Sequence, residues 1–595
     1  MARPALRIPW PLLAATVALA LSVARAAYLE HFAGSYTACQ GCFLLPALGH
    51  DAWLLSGLFA LLGLAAFARS RALRVLCAGA AVLLLLAMAL DLLLLRLLNQ
   101  RFYVADLVRF VTEVAADWSV ARAQFLSPSG IVYSVLAVLL LVLLAGLLAH
   151  QRRSRRAGLA LFAGAVGAAL FAAGVGASTT LRYVHDQYAW NVIGANLPQG
   201  REQAFSDAFV ERQRQALAAL PRVCESGTAT GRSVVLVITE SLSAYQSALL
   251  GGPDDWLPRL DALARANHYF SHFYANGFTT DGGEIAALTG RLPLDPPGAP
   301  WYDLAAFGAG DDTLPGIAHR AGYSAHYFTT ADLAFLNSGT WLRQLGFDSV
   351  EGNESPFYAD LPRGPFGAAA DEALFARFEQ WLDERRDPRP FVAVLLTVSS
   401  HPPFLHPQTG KLDAEGTFRY VDAQLAAFHD RLAARGFLRR GVLLITGDHR
   451  SMTPLSDEEY RRFGERAFAR IPLIVAGAID LPKVVDAPFQ QTDLPASLAG
   501  MLGVEYCRGP FTGAFLRADP VPARYVVHSR GDDRNRVDVY FDERVASYLE
   551  NGDASAWIGA VEPPDAAAVA AWINAQRLDN RVPPRALATA RRELK

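Results

Sequence analysis

The sequence predicts an α/β domain with a mostly parallel sheet, set behind an N-terminal transmembrane region of five apolar helices. The first 178 residues of the 595-residue chain are dominated by Leu, Ala and Val, and the remainder is an ordinary globular mixture punctuated by Pro and Gly. A chain this long exceeds what one core can organise. From Ser233 onward, short β-branched runs alternate with helix-like ones, the pattern of a parallel sheet wrapped by helices. Three of those runs stop at side chains suited to holding a metal: one ends at Glu240, one runs through Ser399 and Ser400 into His401, and one ends at Asp448-His449. Open α/β sheets present ligands at the C-terminal ends of their strands, so a metal-dependent site is the leading expectation.

The apolar stretches are residues 9–29, 53–68, 75–95, 131–149 and 159–177, most of them near the ~20 residues that cross a bilayer. The second reaches that length only by starting near Leu45 and taking in His50 and Asp51. Arg3 and Arg7, then Arg69, Arg71 and Arg74, then Arg152, Arg153, Arg155 and Arg156 fall on one side of these stretches. By the positive-inside rule that side is cytoplasmic, and everything after Ala177 lies outside the plasma (inner) membrane, periplasmic or extracellular. Ala24-Arg25-Ala26 also resembles a signal-peptide cleavage site, but four later spans favour an uncleaved anchor, and the topology is the same either way. Asp91 and Arg96 read as lipid head-group contacts or a docking point, with snorkelling the simpler account of Arg96.

The expected organisation is a membrane region over 1–178, a connector over 179–232, a catalytic domain over 233–545 and a tail over 546–595. Residues 201–219 have apolar side chains near helical spacing and predict an amphipathic helix near the membrane surface. Strands are expected at 233–239, 325–329, 390–398, 441–446 and 471–476, and helices at 257–266, 368–385, 420–434 and 492–502. Cys77 lies in a span and reads as packing; Cys39 with Cys42, and Cys224 with Cys507, are pairs able to oxidise outside the cell. Two thiols without further ligands favour a structural role over a metal site. The net charge is −2 and no basic run is present, so nothing points to nucleic acid.

Glu240, Asp448 and His449 make a ligand set suited to zinc or manganese. Each has a plainer reading as a cap or a hydrogen-bonded core group, and it is their shared place at strand ends that favours chemistry. A nucleophile is expected in Gly277-Phe278-Thr279-Thr280-Asp281, ahead of an apolar helix, where backbone N–H groups favour an anion. Either threonine could equally be an ordinary helix N-cap.

Thr239-Glu240-Ser241, Gly277-x-Thr279-Thr280, Val398-Ser-Ser-His-Pro-Pro-Phe404 and Thr446-Gly-Asp-His449, followed by residues 493–503, occur in an order that resembles the membrane-bound sulfatase-like transferases. The chain is most similar to their lipoteichoic-acid-synthase and phosphoglycerol-transferase branch of the alkaline phosphatase superfamily. The resemblance implies an alkaline-phosphatase-like external domain and one divalent ion, manganese or zinc, held by Glu240, Thr279, Asp448 and His449. It implies Thr279 as nucleophile, Thr280 as the fallback one residue on, and His401 facing the transferred group. It further implies a phospholipid donor, a Thr-phosphoryl intermediate and an envelope-glycan acceptor.

Two departures shape the expectation. Thr-Thr-Asp-Gly-Gly replaces the Cys/Ser-x-Pro-x-Arg signature of true sulfatases, which argues against sulfate-ester hydrolysis. Where the branch carries a His and a Trp-x-Arg, this chain has Thr329, Leu336 and Ser338, with Trp341-Leu342-Arg343 closer to the Gly346-Phe347-Asp348 turn. Phosphoglycerol is therefore the expected head group, with a phosphoethanolamine transferase, a hydrolase on the same scaffold or a degenerate lipid-binding regulator as alternatives.

Overall fold

The computed structural model describes residues 9–34, 41–98, 101–114, 154–175, 189–197, 200–308, 312–531 and 533–581. The chain divides into two compact units, the apolar helices and the α/β domain, each described by itself.

The apolar unit contains α1 (Trp10–Gly34), α2 (Leu44–Phe67), α3 (Arg71–Leu98), the shorter α4 (Val104–Val114) and α5 (Arg155–Val175). Among the described residues, four helices (α1, α2, α3 and α5) are long and apolar enough to cross a membrane. The expected stretch at 131–149 and Cys39, with its expected pairing to Cys42, lie outside the described residues. α2 starts at Leu44 and so carries His50 and Asp51 inside a helix. Asp51 is tolerated there because Arg25 of α1 meets both its oxygens, at 2.7 and 3.1 Å. The same guanidinium donates to the carbonyls of Ala47, Ala189 and Trp190. Asp91 likewise accepts from Arg101, at 2.9 Å on each oxygen, and from the Phe102 N–H. Buried charge survives only when paired and hydrogen-bonded in this way. Arg96 lies over the Tyr28 ring, 5.7 Å from its centroid.

The second unit is built on an eight-stranded sheet. Its strands are β1 (Ser233–Thr239), β2 (His268–Phe270), β3 (Ser324–Thr329), β4 (Ser349–Glu351), β5 (Phe391–Leu396), β6 (Gly441–Gly447), β7 (Leu473–Gly477) and β8 (Val484–Val485). The spatial order is β8-β2-β7-β6-β1-β5-β3-β4. β1 lies centrally, parallel to β5 and β6, and β3 continues the parallel set beside β5. β7, expected as one more strand of a mostly parallel sheet, runs antiparallel to β6 and β2.

Both faces of the sheet are covered, which is why β1 reads as a continuous apolar run. Val234, Leu236 and Ile238 face one core with Ile285, Leu288 and Leu498. Val235 and Val237 face the other with Leu260, Phe375, Phe378, Val421 and Phe428. Each such side chain contributes about 1.5–3 kcal/mol on burial. The covering helices are α6 (Pro258–Ala266), α7 (Thr280–Thr289), α8 (Asp371–Glu384), α9 (Ala414–Ala434) and α10 (Leu494–Leu502).

Three further features complete this unit. A four-stranded antiparallel sheet, from Val526–Ser529 to Ala556–Ile558, follows the main sheet, and its strand Arg544–Leu549 runs across residue 545. The helix expected at 201–219 is Asp207–Ala218, capped by Ser206, and its Gln213 accepts from Asn574 of the helix Ala566–Asp579. Cys224 and Cys507 form a disulfide between two paired short strands, Val223–Ser226 and Glu505–Arg508.

Candidate metal and phosphoryl-transfer site

β1 and β6 end side by side, with Thr239 in register with Gly447, so Glu240 and Asp448-His449 leave the sheet together. Two turns lock them. Ser241, at a left-handed φ of 55°, donates its N–H to Asp448 Oδ1 at 2.7 Å and its hydroxyl to Glu240 Oε1 at 2.7 Å. Asp448 Oδ1 also accepts the His449 N–H at 2.7 Å. With Oδ1 saturated, Asp448 Oδ2 is buried without a partner.

His449 completes the group. Its Nδ1 lies 2.8 Å from the Arg450 carbonyl and must carry the proton, which directs the bare Nε2 lone pair inward. That Nε2 is buried without a hydrogen bond, 3.6 Å from Glu240 Oε1 and 3.4 Å from Asp448 Oδ2. The three ligand atoms lie within 4.8 Å of one another. Burial, and then the neighbouring Glu240, push the Asp448 carboxyl well above its ordinary range, while burial pushes the His449 imidazole down. Two dehydrated carboxylates with an inward lone pair and an orphaned oxygen fit a divalent cation, which supplies the missing partner for each.

The helix α7 brings the hydroxyls. Its first turn presses onto the strand end so closely that a Cβ on Gly283 would meet the Asp448 carbonyl oxygen at 2.2 Å; only glycine fits. The two threonines at this turn do different things. Thr279 is the N-cap, accepting the Gly282 N–H at 3.3 Å. Thr280, one residue on, donates to Glu240 Oε2 at 2.9 Å. Thr280 is thus the hydroxyl hydrogen-bonded to the ligand group, while the Thr279 hydroxyl accepts from its own helix.

His401 follows β5 on a turn braced by α8, where Asp371 Oδ1 accepts the N–H groups of Val398 and Ser399 at 3.0 Å each. Ser400 donates to the Glu240 carbonyl at 2.5 Å, tying this turn to the ligands. His401 Nδ1 lies 2.6 Å from the Pro402 carbonyl, so it too holds a proton at Nδ1 and leaves Nε2 for other partners. The imidazole lies close enough to act electrostatically on both Glu240 and His449.

Two carboxyl groups that the sequence did not single out flank the trio. Glu284 accepts from the Tyr327 hydroxyl at 2.5 Å and is pushed up to about 7 by burial, opposed by that hydrogen bond. Asp281 accepts from Tyr302 at 3.0 Å. The signal for Glu284 was its place one helical turn after Thr280. Thr329 ends β3 and is buried, Trp341 packs in the core, and Arg343 is exposed.

Residues 232–504 match the family model described as Sulfatase. A curated relative, the lipoteichoic acid synthase-like YvgJ of Bacillus subtilis (strain 168), is 22% identical over 395 residues, covering 59% of this chain. The chain spans 62% of that relative's length. Among solved structures, the lipoteichoic acid synthase LtaP of Listeria monocytogenes is similar at a TM-score of 0.45 and 17% identity, over 62% of this chain and 96% of that one. The integral-membrane lipooligosaccharide phosphoethanolamine transferase A of Neisseria meningitidis is similar at 0.48 and 16% identity, over 83% and 95%. Residues 232–504, which carry Glu240, Thr279, Thr280, His401, Asp448 and His449, therefore form a domain of the sulfatase family.

Proposed function

We propose that this protein is a membrane phosphotransferase that moves a phosphoryl-linked head group, phosphoglycerol, from a membrane phospholipid to an envelope glycan through a Thr-phosphoryl intermediate. The observation that carries the reading is the buried group Glu240, Asp448 and His449, with two orphaned ligand atoms and the Thr280 hydroxyl hydrogen-bonded to its edge. The sulfatase-family match, the four apolar helices and a relative named lipoteichoic acid synthase-like support it. The Cys224–Cys507 disulfide fits a domain facing an oxidising compartment outside the membrane.

Glu240, Asp448 and His449 would hold one divalent ion, manganese or zinc, and the bound ion would acidify a hydroxyl and draw charge from a phosphoryl oxygen. Thr280 supplies the nucleophilic oxygen, positioned by Glu240 at the start of α7, where free N–H groups favour the phosphoryl anion. When protonated on both ring nitrogens, His401 gives the Nε2 proton to the departing diacylglycerol oxygen, and the bare Nε2 takes one back from the acceptor hydroxyl in the second half. Thr279, one residue earlier, is the alternative attachment point and the alternative oxygen ligand.

The test is mass spectrometry of the protein after incubation with mixed phospholipids and a divalent metal. The mass of the adduct names the head group and separates phosphoglycerol from phosphoethanolamine. Peptide mapping assigns it to Thr280 or Thr279, and active protein with neither threonine modified overturns the covalent mechanism.

A further inference from the structure

We propose that Phe335 and Phe366, beside His401, form the subsite for the acyl-glycerol part of the donor phospholipid, the group that leaves. This inference rests on the phosphoryl-transfer reading above and says where the donor's apolar end lies.

The Phe366 ring meets the His401 ring edge-on, with centroids 4.5 Å apart and planes at 73°. Phe335 continues the wall, 5.4 Å from Phe366. Backbone strain is concentrated in both segments. Phe366 sits at a φ of 56° and Leu336 at 52°, a left-handed region that bulky side chains avoid. Arg363 ties the Phe366 loop together. Arg363 donates to the carbonyls of Asn353, Tyr358 and Gly367 at 3.3, 2.7 and 3.1 Å, closing the loop on itself. The same loop turns Phe357 and Leu361 to solvent, 37% and 36% exposed. An apolar rim kept at such conformational cost beside a polar site needs an apolar occupant.

The chemistry says which part of the donor that is. In the first half-reaction the bond from phosphorus to the Thr280 oxygen forms as the bond from phosphorus to the diacylglycerol oxygen breaks. The threonine proton is released to solvent, and His401 Nε2 gives its proton to the departing oxygen. That oxygen must come within hydrogen-bond reach of His401, so the carbon chain continuing from it begins beside the ring that Phe366 touches. On the α7 side of the trio, Asp281 and Glu284 are carboxyls, against which an acyl chain gains nothing.

The test uses the full chain in detergent micelles with its metal and two donors of identical phosphorus chemistry, dioleoyl phosphatidylglycerol and deacylated glycerophosphoglycerol, with the matching ethanolamine pair alongside. The readout is the ratio of kcat/KM for acylated over deacylated donor. Phe366→Ser should lower that ratio about tenfold or more, the scale of one large apolar contact, and Phe335→Ser, on a different segment, should lower it in the same direction. A ratio unchanged in both variants overturns the proposal, whether both rates hold or both fall together, since a joint fall means that Phe366 acts only by bracing His401. Wild-type protein that binds metal but transfers from neither donor removes the phosphoryl-transfer reading itself, which is a different result from an unchanged ratio.

Discussion

Thr280 donates its hydroxyl hydrogen to Glu240 Oε2 across 2.9 Å, joining the first turn of a helix to the end of a strand 40 residues earlier. The Thr279 hydroxyl instead serves the helix itself. This division of labour gives two neighbouring, chemically identical side chains opposite mutational signatures. Thr280→Ala should abolish adduct formation while leaving metal content and thermal stability close to wild type. Thr279→Ala should keep transfer measurable and cost about 0.5–2 kcal/mol of stability through the lost cap. Thermal unfolding and adduct mapping on both variants check the pair.

The metal group makes a second prediction. Asp448→Ala or His449→Ala should each strip the divalent ion and activity together, because each removes one of the few ligand atoms the ion would have. Thr446→Val is the control. Its hydroxyl donates to the Pro472 carbonyl at 2.8 Å, away from the ion, so it should cost about 1 kcal/mol of stability and leave metal content intact. Elemental analysis of purified protein decides, and full metal occupancy in both ligand variants sinks the site.

Gly283→Ala should act at a distance of one helical turn. The added methyl has the Asp448 carbonyl at 2.2 Å and no flexible side chain to displace, so α7 must retreat from the strand end. Metal affinity and transfer should fall together, with unfolding easier by about 1–3 kcal/mol. Wild-type metal affinity in this variant would show that the helix is free to shift.

Glu284 gives a pH dependence with a definite sign. Its folded pKa, raised to about 7 from 4.5, means that folding favours the protonated carboxyl. Stability from this group is complete below its unfolded pKa and is lost as pH rises through 7. The span corresponds to about 3 kcal/mol at most. Thermal melts of metal-free protein between pH 5 and 8 should therefore show a decline that Glu284→Gln flattens. A decline of the same size in the variant would assign it elsewhere.

His401→Ala should slow transfer by roughly 10²–10⁴-fold without loss of metal, the range for removal of a general acid or base. Single-turnover adduct formation isolates the first half-reaction and shows whether the deficit lies there.

The central strands and the convergence of Glu240, Asp448 and His449 were legible in the sequence for the same reason. A strand buried on both faces is an unbroken apolar run, and its end is marked by the first polar side chain. The four-stranded sheet was not legible. Its core hides charge, with Arg530, Arg536 and Ser547 gathered on Asp538, and buried ion pairs look like surface in a linear sequence. Trp341-Leu342-Arg343 lies nearer the Gly346 turn than the branch has its Trp-x-Arg, and the helix Ser338–Leu345 turns Trp341 into the core beside Leu342 and Leu345. The different partners of the Thr279 and Thr280 hydroxyls follow from which residue caps the helix, a one-residue distinction made by backbone dihedrals and invisible to spacing. Phe366 was missed because its role comes from a left-handed backbone at a non-glycine residue.

The bond between Cys224 and Cys507 gives the α/β domain a topology that gel electrophoresis can read. The two residues are 283 positions apart, and every strand of the main sheet lies between them, as do all the proposed ligands and hydroxyls. A single cut anywhere in that interval opens a ring rather than severing a chain. Protein nicked once by a protease at the exposed stretch around Leu412 should keep its mass on a non-reducing gel and fall into two pieces only when a thiol is added. One cleavage in that interval therefore leaves both pieces of the α/β domain covalently joined to the apolar helices.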